Sequence, residues 1–217
     1  RLYATITRLK IDATSPLVRF QEDEPLKLEG LINRLGAGLF FSDFVLTCPR
    51  RTIRASLMSS FTKRGSPASN RSLLKGQPNI PPGCPIPDLA TMPQLGQGYR
   101  DRRRRVLAPA IFEVPYDIIP HHDINGAGLL YFAAYPIIND ICEMKYMGCG
   151  NRWAIEASTI SRDIFYFANS DVEDGLYYRV HARRDLPGAI EIESSISRKS
   201  DDAVMAHLVT RKALASA

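Results

Sequence analysis

Cysteine and histidine are scarce in this chain and poorly placed for metal work. The four cysteines, Cys48, Cys84, Cys142 and Cys149, form no Cys-x-x-Cys pair, and the four histidines add no zinc-type spacing. No metal site is therefore expected. No apolar run reaches the ~18 residues that mark a membrane-spanning helix, so no membrane span is expected either. The chain starts at Arg1-Leu-Tyr-Ala-Thr-Ile-Thr-Arg8. It has neither an initiator Met nor the basic-then-apolar pattern of a signal peptide. That start reads as the middle of a strand, which predicts a fragment, a processed product or a truncated chain. With no disulfide framework in view, Cys142 reads as a buried reduced thiol and the cytoplasm as the natural compartment.

The 217 residues suit one large domain or two small ones. A hydrophobic fraction of 45% and a mean hydropathy of -0.15 are those of a soluble globular protein. The net charge of +5 suits an anionic partner. Phosphate groups and an acidic protein surface fit that charge. Nucleic acid would also fit, but no stacking-aromatic motif of the RNA-recognition kind supports it.

The chain divides into two related halves and a linker. In the first half, Arg1 to Asp12, Gly38 to Thr47 and Thr52 to Lys63 read as strands. In the second, Arg152 to Asp163, Asp163 to Asn169, Gly175 to Arg183 and Ile190 to Arg198 do. Asp202 to Arg211 could be a strand or a short helix, since its periodicity does not decide. Two echoes suggest duplication. Arg1 to Asp12 resembles Arg152 to Asp163, and Ser59-Ser60-Phe61-Thr62-Lys63-Arg64 resembles Ser194-Ser195-Ile196-Ser197-Arg198-Lys199. Between the halves, Gly76 to Pro109 is rich in proline, which argues against regular structure there, and it carries Arg100 and Arg102 to Arg105. That charge run is either a solvated face or an electrostatic contact for an anionic partner.

The most informative stretch is Val114 to Glu143. Gly126 and Gly128 allow a turn and a close approach of another group. From about Leu129 to Ile141 the chain is nearly continuously apolar, which predicts a buried helix beginning near Gly128 and reaching about Lys145. Free N–H groups at such a helix start could hold a carboxylate, a phosphate or a thioester carbonyl oxygen.

Asp123-Ile-Asn-Gly-Ala-Gly-Leu-Leu-Tyr-Phe-Ala-Ala-Tyr135 resembles the loop-to-helix signature of hot-dog-fold thioesterases. Its wording is most similar to that of the leinamycin-type bifunctional acyltransferase/decarboxylases of polyketide pathways, which are double hot-dog proteins. The resemblance implies an α+β fold in which a curved antiparallel sheet wraps a long buried helix. It implies C-terminal strands of a first repeat over 1–75, incomplete at its N-terminus, a Pro/Arg-rich linker over 76–109, and a complete second repeat over 110–217. The first repeat's helix, and the tyrosine that such proteins are thought to use as acyl acceptor, would lie upstream of Arg1.

Asn125 stands where hydrolytic relatives of this motif carry an Asp. An amide can donate a hydrogen bond but cannot act as base or nucleophile. That departure favours decarboxylation or acyl transfer over hydrolysis, unless Asn125 simply accepts the turn conformation. His121 and His122 are candidate proton donors, with His121 preferred, or loop fillers. Asp123 is expected to accept hydrogen bonds from the turn. Gly126, Ala127, Gly128 and Leu129 should hold the thioester carbonyl oxygen, with Tyr131 lining the pocket. Tyr131 and Tyr135 should share one helical face, and Glu143 should end the helix in solvent.

The expected function is an acyltransferase/decarboxylase moving a malonyl- or methylmalonyl-type group from acyl-CoA to an acyl carrier protein. No cofactor is implied beyond coenzyme A or phosphopantetheine as the substrate's carrier, and a homodimer is a candidate assembly. The alternatives are a hot-dog thioesterase or dehydratase, or a non-catalytic carrier-binding scaffold.

Overall fold

The structure, a computed structural model, describes residues 1–17, 23–66, 69–83, 85–148 and 157–214. Cys84, Cys149 and the Arg152 end of the first sequence echo lie outside the described residues.

The first half forms β1 (Tyr3–Ala13), β2 (Lys27–Leu35), β3 (Leu39–Cys48), β4 (Arg51–Ser66) and β5 (Ser69–Gly76). Then come α1 (Gln94–Arg104), β6 (Phe112–Tyr116), the single turn α2 (Pro120–Asp123) and α3 (Ala134–Met147). The chain continues with β7 (Ala157–Tyr166), β8 (Leu176–Leu186), β9 (Ala189–Arg198) and β10 (Val204–Leu214). Among the described residues, ten strands make one antiparallel sheet in the order β2-β3-β4-β1-β7-β10-β9-β8-β6, with β5 paired to β4. The undecided tail is the strand β10. Its residues Ala206, Leu208 and Thr210 pair with Ile196, Ser194 and Ile192 of β9.

The halves meet where β1 pairs with β7, Arg8 opposite Phe165 and Asp12 opposite Ser161. Outward from that seam the order is β1-β4-β3-β2 on one side and β7-β10-β9-β8 on the other. The Ser-Ser echo therefore joins strands in different places: Ser59 lies on β4, next to the seam strand, and Ser194 on β9, one strand further out. The echo reflects similar strand composition and is no guide to register.

Side-chain alternation sets the two faces of the sheet. Ile190, Ile192 and Ile196 of β9 are buried in the core with Leu9, Ile164 and Leu208. Tyr135, Ile138 and Cys142 of α3 complete that core. The helix is shorter than expected. It starts at Ala134, not near Gly128, and Pro136 explains why. Proline is tolerated in the first helical turn, where its missing N–H would be unpaired anyway, but it breaks a helix interior. A helix from Gly128 would place Pro136 in that interior. As it is, the Phe132 carbonyl accepts from the Tyr166 hydroxyl at 3.0 Å. The helix ends at Gly148, whose φ of 64° gives the left-handed C-cap. It is not buried all round. Ala134, Tyr135, Ile138, Asn139, Cys142 and Glu143 face the sheet, while Ile137 is 41% exposed.

Polar residues also face inward. Glu143, expected in solvent, is fully buried, and Lys212 Nζ lies 2.7 Å from both Glu143 Oε2 and Asp140 Oδ1. Arg162 donates to Asp140 at 2.5 Å. Burial works against a charge on Asp140, but Arg162 and Lys212 outweigh it and hold its carboxyl below the ordinary range. Burial pushes the Glu143 carboxyl up, against the pull of Lys212 and Arg162. Asn139 joins a second set, donating to Thr210 and accepting from the Tyr178 hydroxyl. Cys142 is a free, buried thiol that burial pushes up to about 12.

The opposite face carries α1, in a segment expected to be irregular. After Pro93, the N-cap, the prolines pause, and Gln94 to Arg104 contain none. The buried Gly96 lets the helix lie against Phe41, and Arg8 Nη1 donates to the Leu95 carbonyl at 2.6 Å. Among the described residues, no helix is long and apolar enough to cross a membrane.

Candidate active site

The loop between α2 and α3 is built around Asn125. Its Oδ1 accepts from Ala127 N at 2.9 Å and Leu129 N at 3.1 Å, and its carbonyl accepts from Gly128 N at 2.8 Å. Gly128 closes this turn with a φ of +73°, a conformation that glycine adopts without strain. The expectation of free N–H groups over Gly126 to Leu129 is corrected here. The donors of Ala127, Gly128 and Leu129 are spent inside the turn, because the stretch is an Asn-capped loop and not a helix start. Leu130 N donates to Asn169 Oδ1 and Tyr131 N to the Asp123 carbonyl. Asn125 Oδ1 is thus committed to two backbone donors.

Asp123 is fully buried. Its Oδ2 accepts from the Tyr116 hydroxyl at 3.0 Å and from Ile119 N at 2.8 Å, so the backbone donor it holds belongs to the start of α2 and not to the glycine turn. Its Oδ1 lies 2.7 Å from His122 Nδ1. A carboxylate with two other donors accepts here, so Nδ1 carries a proton, and in the neutral ring Nε2 holds the lone pair. The His122 side chain is 46% exposed. Burial and the neighbouring Asp123 both push the Tyr116 phenol well above its ordinary value, keeping it a donor. His121, preferred from the sequence, is exposed, and among the described residues its side chain has no partner comparable to Asp123. The adjacent pair could not be told apart without the fold. The signal, in retrospect, is that His122 directly precedes a carboxylate which the apolar flanks would bury.

Tyr131 is 41% exposed and stacks edge-on against Phe132, while Tyr135 is buried against Tyr166. They do not share a helical face, because Tyr131 precedes the helix.

The first half of the chain reaches this loop. Arg64 Nη2 donates to the Ala127 carbonyl at 2.5 Å, and Asn70 Nδ2 donates to the Gly128 carbonyl at 2.6 Å. Arg64 Nε donates in turn to Asn70 Oδ1 at 2.9 Å. Asn70 N and Ser69 Oγ are held by Asp171, in the loop that follows β7. Asn70 belongs to no motif, and the echo that ends at Arg64 does not point to this loop; the antiparallel pairing of β4 and β5 brings them here. Among the described residues, no cluster of three or more His, Cys, Asp or Glu side chains is arranged to hold a metal ion.

No protein-family model matches the sequence. No curated protein matches it either. Solved structures do. A provisionally assigned oleoyl thioesterase from Lactobacillus plantarum superposes with a TM-score of 0.68 at 11% identity, over 100% of this chain and 78% of that one. The 12:0-ACP thioesterase from Umbellularia californica gives 0.66 at 11% identity, over 98% of this chain and 74% of that one. An acyl-ACP thioesterase from Bacteroides thetaiotaomicron gives 0.56 at 11% identity, over 97% and 76%. At such identities the likeness concerns the fold. A mostly antiparallel sheet with few helices is consistent with the hot-dog fold of these structures.

Proposed function

We propose that this chain is an acyl-thioester enzyme and that hydrolysis is its best-supported reaction. The carrying observation is the His122–Asp123 hydrogen bond, 2.7 Å long, beside the Asn125 turn. Its neighbours in fold, named as thioesterases, support the reading. His122 Nε2 takes a proton from water as the oxygen attacks the thioester carbonyl carbon. Asn125 Nδ2 donates to the oxygen as it gains charge. The C–S bond then breaks, and the leaving thiolate takes the proton back from the imidazolium. Asp123 orients the ring and balances its charge without itself reacting. Ala127, Gly128 and Leu129 shape the turn that aims Asn125, and Tyr131 lines the acyl side.

Transfer with decarboxylation, from acyl-CoA to an acyl carrier protein, is the second reading. It is favoured by one feature, the amide at Asn125. The repeated strand order, β1-β4-β3-β2 against β7-β10-β9-β8, supports a double hot-dog, with 1–75 and 110–217 as its repeats and 76–109 between them.

The discriminating experiment incubates the protein with acyl-CoA and a carrier protein. Free thiol is followed by colorimetry and the carrier by mass spectrometry. Hydrolysis releases coenzyme A and leaves the carrier unloaded. Transfer loads the carrier. A protein that does neither with a range of acyl groups is a scaffold, and the reading fails.

A further inference from the structure

The arginine run at the end of α1 is not part of the site above. Arg102 Nη1 donates to Glu193 Oε1 at 2.6 Å and Arg105 Nη2 to Glu193 Oε2 at 3.1 Å. Glu193 is thus taken up by two guanidinium groups. Among the described residues, Arg100, Arg103 and Arg104 have no carboxylate at ion-pair distance. Arg102, Arg103 and Arg105 border a cleft of about 420 Å³ whose other walls include Phe167, Val204 and His207. Three cations against the one carboxylate, Glu193, leave two positive charges in excess around it. His207 adds none. Burial, then Arg102, His181 and Arg105, lower it to about 3, so it is neutral.

The bland account of these arginines is that cations suit the last turn of a helix. It explains their place on α1. It does not explain why they ring a concavity with an apolar wall. A cleft of this size suits a small ligand better than a protein helix. Guanidinium groups match phosphate oxygens bidentately, and Phe167, beside Tyr99 at a centroid distance of 5.7 Å, offers a ring to a planar base.

The cleft also lies at the right end of the sheet. Phe167 is two residues before Asn169, whose Oδ1 holds Leu130 N of the glycine loop at 3.0 Å. Two extended residues span only about 7 Å. The cleft is on the α1 face and the loop on the α3 face, so a ligand with a flexible arm could bridge the edge between them.

We propose that this cleft binds the phosphorylated adenosine end of coenzyme A, the handle of the thioester cleaved at the loop. The identity of the handle rests on the thioester reading above, but binding is testable without catalysis. Titration calorimetry would compare adenosine 3′,5′-bisphosphate with inorganic phosphate on the whole chain. The variants are Arg103→Ala, whose side chain is exposed, and Arg103→Ala/Arg105→Ala, which leaves Glu193 its contact with Arg102. The bisphosphate is expected to bind wild type and to lose about tenfold per guanidinium removed, the worth of one charge-assisted hydrogen bond. The preference for acyl-CoA over the matching acyl-N-acetylcysteamine thioester, as a ratio of kcat/KM, should fall in step. Equal binding of the bisphosphate by wild type and double variant would overturn the proposal. So would inorganic phosphate binding as tightly as the bisphosphate. Arginine-dependent bisphosphate binding by a protein that cleaves no thioester would uphold the cleft and sink the functional reading instead.

Discussion

Arg64 donates to the carbonyl oxygen of Ala127, so a strand of the first half closes directly on the glycine loop of the second. With Asn70 on the Gly128 carbonyl, it holds two successive loop carbonyls from outside the turn. The loop's geometry thus depends on both halves. Arg64→Met keeps much of the side chain's bulk and removes the donors. Hydrogen bonds to charged groups are worth roughly 1.5–3 kcal/mol. Amide exchange over residues 125–130 should therefore quicken by one to two orders of magnitude, on the order set by that energy, and kcat should fall. Unaltered exchange in this segment would show that the turn stands by itself.

The His122–Asp123 pair predicts an asymmetry between adjacent histidines. General acid–base catalysis contributes on the order of 10²–10⁴ in rate, and His122→Ala should lose that much of kcat with its circular dichroism unchanged. His121→Ala should stay within about twofold, as for a surface change that touches no reacting group. If the two variants behave alike, the orienting role of Asp123 is wrong.

Asn125 separates turn from chemistry. In Asn125→Ala the N–H groups of Ala127 and Leu129 lose their acceptor. An unsatisfied buried donor costs about 1–3 kcal/mol, so the melting temperature should drop. Asn125→Asp keeps an acceptor for both N–H groups and should melt near wild type. It loses the Nδ2 donor and adds a negative charge where the oxyanion forms, so kcat should fall by on the order of 10²–10³. Should the protein prove a transferase, the same change should instead cost carrier loading and introduce slight hydrolysis. Wild-type rates in Asn125→Asp on every thioester would mean that the residue serves the turn alone.

His207 makes stability depend on pH. Its Nε2 is 3.2 Å from Glu193 Oε1, close enough for an ion pair. Arg102 and Arg105 already neutralise that carboxylate, however, and burial disfavours a charged ring, which lowers the group to about 3 from an ordinary 6.5. A group depressed on folding contributes stability that is full above its unfolded value and is lost as pH falls toward the folded one. Between about 6.5 and about 3, then, stability should decline with falling pH. One proton's worth is at most about 1.4 kcal/mol per pH unit. Urea denaturation of wild type and His207→Gln across that range isolates the contribution: the difference between them should shrink as the pH drops. A constant difference would mean that His207 is charged in the folded protein.

Most of the strands, the glycine turn and a helix after it were legible from local pattern, whereas β2 and β5 were not among the expected strands and β10 was left undecided. Alternation in Ile190-Glu-Ile-Glu-Ser-Ser-Ile196 marks one buried face whatever it packs on, and Gly126 and Gly128 mark a turn. The helix start was not legible, although its cause was in view: Pro136 forbids the interior position that the apolar run alone would assign it. The linker was misread in the same way, because proline content averaged over Gly76 to Pro109 hides the proline-free Gln94 to Arg104.

Within the candidate site, Asp123, Asn125 and Tyr131 could be named because they sit in one short motif. Their roles could not. That Asp123 holds His122 and not the turn, and that Asn125 consumes the donors it was thought to leave free, are matters of hydrogen-bond direction at distances under about 3.2 Å.

By itself the sequence determined what depends on neighbours along the chain: strand alternation, turn chemistry, the absence of a membrane-length apolar run and the excess of positive charge. Only the tertiary structure decided what depends on residues far apart in sequence. It set Arg64 and Asn70 on the glycine loop, Lys212 between Asp140 and Glu143, and Arg102 on Glu193. The physical reason is that a buried charge or an unpaired donor is tolerated only where a partner arrives, and in an antiparallel sheet that partner comes from whichever strand the pairing places alongside.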